Sequence, residues 1–413
     1  MKLFILVAIV SLAFLGCMPK QKKHEYRIPQ ECNNSFLLST YDGKSYWLNF
    51  LEFNQKMKKI VSLGVYEIDG LNSFLYNCNY QKIVLTYDYR NAKLGNAGYE
   101  ILNIDGSNEE FYNKEGPSPL FSYDQGVLVG TRLIQKAEYN TSLGDTANQY
   151  PSGEVFSYTH YIAWSDIFET KTFAPRRSYR MRFGEDIAIV KDAMYGGALV
   201  HNTAAKAFRV DLKTGRRKIL GNIMIGTFAI FLPSKPEHYY LFNPEQIIDK
   251  HHHTSEEIAL ARAQLSSEEQ QGLALADSLK PNAIYEASTK KEDVPKLLFE
   301  ANATVYDFFL KGDDIYLLTD NNIIKYSPLT KTKKVFRYPF KKRPNISTFL
   351  GENFIFTFDG DINSTVGVVV TNNLFEPISK PFRTKKGNDA GKLSTQNNQA
   401  QAQLYNENFG NLR

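Results

Sequence analysis

The feature that most constrains this chain is a two-strand unit that recurs along most of its length. Each unit opens with an aromatic or β-branched stretch, passes a polar turn and returns in a stretch rich in Lys, Val and Phe. Tyr46-Trp47-Leu48-Asn49-Phe50 leads past Asn54 to Lys58-Lys59-Ile60-Val61, and Tyr99-Glu100-Ile101-Leu102-Asn103-Ile104 leads past Asp105-Gly106 to Glu110-Phe111-Tyr112. Tyr161-Ile162-Ala163-Trp164 leads past Asp166 to Thr170-Lys171-Thr172-Phe173, and Phe208-Arg209-Val210-Asp211 leads past Thr214-Gly215 to Arg217-Lys218-Ile219-Leu220. Ile284-Tyr285-Glu286-Ala287 leads past Thr289 to Lys296-Leu297-Leu298-Phe299, and Ile323-Ile324-Lys325-Tyr326 leads past Ser327-Pro328 to Lys334-Val335-Phe336. The last unit, Val368-Val369-Val370, passes Asn372-Asn373 to Pro377-Ile378. Short strands punctuated by Asp, Asn, Gly and Pro are hairpins, because those residues adopt turn geometry at little cost.

The spacing of these turns selects an architecture. Most intervals are about 40–60 residues, and a repeat near 45 residues with four short strands per unit marks a β-propeller. Further hairpins fit between the units, among them Ser35-Phe36-Leu37-Leu38-Ser39 before Asp42-Gly43, and Val305–Leu310 before Gly312-Asp313-Asp314. The expected fold is therefore all-β, a propeller over residues 30–383 with about seven four-stranded blades. Six or eight blades also accommodate the spacing, and a large sandwich or two smaller β domains is the alternative. Closing a ring protects the sheet edges from unwanted pairing. Tyr26-Arg27-Ile28 is the expected closing strand, pairing with the last blade. The only two tryptophans are Trp47 and Trp164. With no recurrent Trp-Asp pair and no repeated Gly-Gly, no propeller subfamily is assigned.

Two segments break the pattern. Residues 251–282 separate two halves of the fifth unit. Thr254 and Glu257 have capping-box spacing, as do Ser266 and Glu269. Ile258, Leu260 and Leu265, then Leu273, Leu275 and Leu279, with the alanines between them, can form apolar helix faces, and Pro281 stops continuation. The segment reads as a helical hairpin whose apolar residues either bind a partner or pack on their own blade; inserts in repeat folds map to one face, often the binding face. Residues 384–413 hold Gln396, Asn397, Asn398, Gln399, Gln401 and Gln403 and few apolar side chains. A segment with so little to bury is expected to be disordered.

The N-terminus sets the address. Met1-Lys2 precedes the apolar run Leu3–Val10, and Phe14-Leu15-Gly16-Cys17 follows. The run is shorter than the ~20 residues that span a bilayer and reads as a signal peptide, residues 1–16. The end Phe14–Cys17 resembles the lipobox of bacterial lipoproteins, with Phe14 standing where Leu is usual. That resemblance implies cleavage before Cys17, lipidation of its sulfur, acylation of its amine and stable anchoring. Residues 17–29 would be the lipidated cysteine and a short tether. Met18 after the cysteine, by resemblance to the sorting rule of bacteria with two membranes, implies the outer membrane. Taken with the hairpin period, the chain resembles the broad class of bacterial propeller lipoproteins.

Removing residues 1–16 takes away Lys2 and lowers the formal charge from +5 to +4, a mild balance that gives no reason to expect nucleic acid; export argues the same way. Cys32 and Cys78 remain as an even pair in an oxidising compartment. They form a disulfide or stand as two buried thiols. His251-His252-His253 is the most conspicuous polar cluster, but three consecutive side chains rarely converge on one ion, so no metal site is assigned there. Asp313-Asp314 and Asp359-Gly360-Asp361 lack the remaining ligands of a calcium loop and read as turn chemistry. No nucleophile elbow or phosphate loop occurs, and no cofactor is expected. Basic clusters at Arg176–Arg182, Arg216–Lys218 and Lys331–Arg343 fall largely on outer strands. There they either keep the edges soluble or face anionic lipid or polysaccharide. The expectation is a non-enzymatic, membrane-anchored envelope scaffold with a protein partner. The alternative is a carbohydrate- or small-ligand-binding propeller, or a propeller enzyme, with its site at the channel mouth.

Overall fold

The computed structural model describes most of residues 29–395; residues 1–28, 88–97, 134–155, 245–273 and 396–413, with short stretches of other connections, lie outside the described residues. The described residues form seven four-stranded antiparallel sheets, the blades. Blade 1 contains β1 (Ser35–Tyr41), β2 (Tyr46–Asn54) and β3 (Lys59–Ile68). Blade 2 contains β4 (Leu71–Asn77), β5 (Lys82–Tyr87), β6 (Gly98–Asn103) and β7 (Glu110–Asn113). Blade 3 contains β8 (Leu120–Tyr123), β9 (Gly126–Leu133), β10 (Phe156–Ala163) and β11 (Arg177–Arg182). Blade 4 contains β12 (Ile187–Val190), β13 (Ala193–His201), β14 (Ala204–Asp211) and β15 (Arg217–Ile223). Blade 5 contains β16 (Phe228–Ile230), β17 (Tyr240–Asn243), β18 (Ala283–Glu286) and β19 (Lys296–Glu300). Blade 6 contains β20 (Val305–Lys311), β21 (Asp314–Thr319), β22 (Asn322–Ser327) and β23 (Thr332–Arg337). Blade 7 contains β24 (Ile346–Leu350), β25 (Asn353–Phe358), β26 (Gly367–Thr371) and β27 (Phe382–Arg383). The last strand, β28 (Asp389–Thr395), returns to blade 1 and pairs with β1.

The inner strand of each blade is its first along the chain, except in blade 1, where it is β28, and β20, β24, β28, β4 and β8 neighbour one another in succession. The chain is a β-propeller. Its core lies between blades, because each sheet buries both faces against its neighbours. Phe228, Phe242 and Phe308 pack blade 5 on blade 6, and Tyr316, Phe354 and Phe375 pack blade 6 on blade 7. Burial falls from the inside outward. All of β20 but Lys311 is buried, whereas β23 is exposed at every position but Phe336. The outer strands β3, β15 and β19 each carry one extra residue, Leu63, Leu220 and Leu298. Such bulges twist an exposed edge away from foreign strands.

Five of the seven hairpins read from the sequence are the third and fourth strands of their blades: β2–β3, β6–β7, β14–β15, β18–β19 and β22–β23. Two differ in the partner. Tyr161 pairs with Arg177, not with a strand near Thr170, since alternation marks a strand but not the length of the turn after it. Val368 pairs with Phe382, and Pro377 makes only an isolated bridge to Thr371; proline has no N–H to continue a ladder.

The ring closure and the tail also differ from expectation. Residues 389–395, read as part of a disordered tail, are the inner strand of blade 1, with Phe36 opposite Thr395, Leu38 opposite Leu393 and Tyr41 opposite Asp389. The free edge of β1 supplies the hydrogen bonds and neighbouring blades bury Leu393 and Ser394, so a polar composition is no bar to order there. This strand occupies the closing position assigned to Tyr26–Ile28, which lie outside the described residues, as does the tail beyond residue 395. Of the insert, Ala274 and residues from Ser278 onward are described, and the Ser278 N–H donates to the Ala274 carbonyl at 3.1 Å, the spacing of a helical turn.

Strand direction divides the ring into two mouths. Turns from first to second strand and from third to fourth strand lie at one mouth; turns from second to third strand and crossings to the next blade lie at the other. β1 begins and β28 ends at the first, here termed proximal, so the N-terminal segment joins the ring there. Pro29 through Asn34 lead in along this mouth. The Glu52 carboxylate accepts from the N–H groups of Gln30 at 2.6 Å and Glu31 at 3.0 Å. Cys32 in the following 3-10 turn is disulfide-bonded to Cys78 of blade 2, with the Cα atoms 5.3 Å apart. Ser35 and Tyr76 share a buried hydrogen bond of 2.8 Å beside it.

Candidate functional site: the distal mouth

The other, distal mouth carries the two longest connections, residues 134–155 and 244–282. Residues 88–97, 134–155 and 244–282 each leave and rejoin the ring there, between second and third strands. The inner strands β4, β20 and β28 each gain an extra residue near their distal ends. Bulges at such places re-aim side chains and are common beside functional sites.

In β20 the bulge has a chemical consequence. The strand is apolar except for Asp307, and the register shifts between Val305 and Asp307. Val305, Phe308 and Leu310 then pack toward blade 5, and Tyr306 and Phe309 toward blade 7. Asp307 is held between them, 5% exposed, with Oδ1 accepting the Phe308 N–H at 2.8 Å. Burial pushes its carboxyl up to about 8, against the opposing pull of that N–H and of the Arg343 guanidinium. The acid is therefore protonated at neutral pH and offers a hydroxyl donor. Arg343, exposed in the crossing from blade 6 to blade 7, lies 3.8 Å over the Tyr306 ring centroid. A cation, an aromatic face and a neutral acid thus meet at the distal end of one inner strand. The set can orient a polar or anionic ligand. Among the described residues, no three His, Cys, Asp or Glu side chains gather to hold a metal ion.

Around this point the mouth is braced. Asp359 accepts the Ala390 N–H at 2.8 Å and is hydrogen-bonded by the Asn345 amide, joining blade 7 to the closing strand. At the rim of blade 1, Lys386 lies 5.0 Å over the Trp47 ring, and the Trp47 indole N–H donates to Asp42 at 2.7 Å. Hydrogen bonds from the Ser45 N–H and Trp47 hold the Asp42 carboxyl below the usual range.

The residues singled out from sequence are distributed differently. Cys17, His251, His252, His253, Ile258, Leu260, Leu265, Leu273 and Leu275 lie outside the described residues. Leu279 is described and is buried among Ala193, Tyr195, Phe231 and Tyr285. It anchors the base of the insert in the core and offers no face to a partner, because the chain must re-enter the sheet at Ala283. The acidic turns are satisfied by protein donors: Asp313 accepts the Ser234 N–H at 2.9 Å, and Asp314 pairs with Lys325 at 2.6 Å. Asp307 was not singled out, and Arg343 was read only as the end of the basic cluster Lys331–Arg343. The available signal was one acid inside the otherwise apolar run Val305–Leu310.

No protein-family model matches the sequence, and no curated protein matches it. Among solved structures, the acylaminoacyl peptidase of Pyrococcus horikoshii is similar at 9% identity and a TM-score of 0.48, over 86% of this chain and 54% of that one. The chain thus spans about half the length of that peptidase. The β-propeller domain of the Trilobed protease from Pyrococcus furiosus is similar at 9% identity and a TM-score of 0.47, over 87% of this chain and 99% of that one. TolB from Acinetobacter baumannii is similar at 10% identity and a TM-score of 0.38, over 87% and 80%.

Proposed function

We propose that this propeller is a lipid-anchored envelope protein that binds a protein partner at its distal mouth. Cys17 carries the lipid, the outer membrane holds it, and the proximal mouth faces the tether. The observation that carries this reading is that the two longest connections, residues 134–155 and 244–282, leave from the same mouth. Ring-forming strands tolerate little variation, whereas loops on one face vary freely and take on recognition. Here the extended connections leave from the mouth opposite the tether, where a membrane leaves room for a partner.

The test is crosslinking in intact cells. Photoreactive residues go at Thr254, Glu257 and Ser278 in the insert and at Asn373 on the proximal mouth, with products identified by mass spectrometry. One discrete protein adduct from the insert and none from Asn373 is the expected result. Absence of any adduct, with the chain expressed and anchored, sinks the reading.

A second reading rests on Asp307 and Arg343: the distal mouth binds a small polar ligand such as a saccharide or carboxylate, or acts on one. Thermal-shift screening of the purified chain against such compounds, with Asp307→Ala and Arg343→Gln alongside, separates the two. A shift that both variants abolish supports this reading, and no shift with any compound counts against it.

A further inference from the structure

We infer that the proximal mouth is itself a lipid-contacting surface, laid against an anionic membrane by a row of apolar turn tips flanked by lysines. The inference rests on the reading of Cys17 as a lipidated tether and adds to it the orientation of the ring.

Four consecutive blades carry the row. At the turn between third and fourth strands, blade 5 exposes Val294 (62%), blade 6 Leu329 (38%), blade 7 Leu374 (49%) and blade 1 Met57 (51%). Exposed apolar side chains scattered singly over a protein are ordinary. These are not scattered. Among the described residues, no exposed large apolar side chain lies on a connection at the distal mouth.

Each tip has an exposed lysine close by in sequence: Lys296 by Val294, Lys331 by Leu329, Lys380 by Leu374, and Lys56 and Lys58 about Met57. Glu292 and Asp293, which precede Val294, lie outside the described residues; the acids described on the proximal turns of blades 6 and 7 have partners on the protein. Glu376 is hydrogen-bonded by the Asn372 amide at 2.8 Å, Glu352 pairs with Lys311 at 3.3 Å, and Asp313 accepts the Ser234 N–H. The turns are also held in shape. Asn54 accepts the Met57 N–H and Asn372 the Leu374 N–H, each at 2.9 Å, and the Lys380 N–H donates to the Lys58 carbonyl at 3.1 Å, tying the turns of blades 7 and 1 together. The tips are thus presented outward on a fixed frame.

An apolar tip beside lysines suits the boundary between headgroups and acyl chains: the tip enters the boundary while the ammonium groups stay with anionic headgroups. The tether supplies the proximity. Residues 18–28 separate Cys17 from Pro29, a reach of roughly 40 Å at most when extended, and the chain joins the ring at this same mouth. Charge attraction acts only within about 10 Å, so it operates once the ring lies flat and leaves the distal mouth free.

The experiment uses the full chain purified from bacterial membranes, with Met57→Cys, Leu329→Cys, Leu374→Cys or, at the distal mouth, Asp320→Cys, each labelled with an environment-sensitive fluorophore. Vesicles contain spin-labelled lipid in phosphatidylglycerol–phosphatidylcholine or in phosphatidylcholine alone. Quenching several-fold stronger at the three tips than at position 320, and weaker in phosphatidylcholine or after Lys56, Lys58, Lys331 and Lys380 are changed to Gln, is expected. Equal quenching at both mouths, or none at the tips while the chain floats with the vesicles, overturns the inference and leaves the anchor standing. The mass of the N-terminal peptide reports lipidation separately. If the chain carries no lipid, it is added to the same vesicles: tip-specific quenching on phosphatidylglycerol still supports the surface, and failure to bind overturns it.

Discussion

Blade 1 and blade 6 contain the same four strands in the same order but are assembled differently. Blade 6 is one unbroken stretch, residues 305–337, in which each strand pairs with the next. Blade 1 joins residues 35–68 to β28 from the other end of the ring. A local sheet forms at small loop-closure cost, whereas a pairing between Phe36 and Thr395 requires the intervening blades to be in place. Blade 1 is accordingly reinforced from outside its own sheet by the Cys32–Cys78 disulfide, the Glu52 clasp on Gln30 and Glu31, and Gly387 seated against Thr40. Blade 6, contiguous in sequence, is tied to its neighbours through Asp313 on the Ser234 N–H and Lys311 on Glu352. Its Phe309 and Tyr316 stack with ring centroids 5.2 Å apart, and its inner strand buries Asp307. Both blades bury an acid, but Glu52 of blade 1 accepts two N–H groups from the entering chain, whereas Asp307 of blade 6 accepts one from its own strand.

The strongest way to break this contrast is to stop the chain after Gly387. Without β28, β1 loses its inner partner and the ring its closure. Loss of the cooperative unfolding transition by circular dichroism is expected; a sharp transition surviving near the parent midpoint would show that blade 1 closes by other means. Next, replacing Cys32 and Cys78 together by Ser should lower stability by roughly 4 kcal/mol on loop-entropy grounds, read as a denaturant midpoint under non-reducing conditions.

Asp307→Asn should act in the opposite direction, through blade 6. The folded carboxyl is held up at about 8, whereas the unfolded one ionises near 4. The stability that goes with the protonated form is fully present below about pH 4 and is lost as pH rises from about 4 to 8. The variant should match the parent near pH 4 and be more stable by a few kcal/mol at pH 8. A gap that does not change with pH would sink the buried-acid account. The smallest effect compares two glycines. A Cβ on Gly387, at φ +78°, would lie 2.3 Å from Thr40 Oγ1, whereas one on Gly312, at φ +60°, meets nothing within 4 Å. Gly312→Ala should cost about 1 kcal/mol for its left-handed backbone alone. Gly387→Ala should cost about 2–3 kcal/mol, with a clash added. Equal losses in thermal unfolding would mean that the closing blade is no tighter than the contiguous one.

The parts of the fold legible in sequence are those whose pattern is local. β2–β3 and β22–β23 were readable because the fourth strand is half or wholly exposed, so that Lys58-Lys59-Ile60-Val61 and Lys334-Val335-Phe336 stand out against their buried partners. β16, with Phe228-Ala229-Ile230, offered no alternation because its neighbours bury it from both sides. Of the candidate site, Asp307 was visible as an acid in an apolar run, but its protonation follows from burial between blades, which outweighs the opposing pull of Arg343 from a different connection.

By itself the sequence determined five of the seven hairpins with their turns and a repeat count near seven, since alternation and turn chemistry act between residues close along the chain. It also placed a cysteine pair where a bond could form. Only the tertiary structure decided that a polar stretch at 389–395 becomes the innermost strand of blade 1, that Leu279 is core, and that apolar turn tips gather at one mouth while the two longest connections leave from the other. Each of these depends on residues far apart in the chain. Burial and pairing are properties of the closed ring, and no single unit of the repeat contains them.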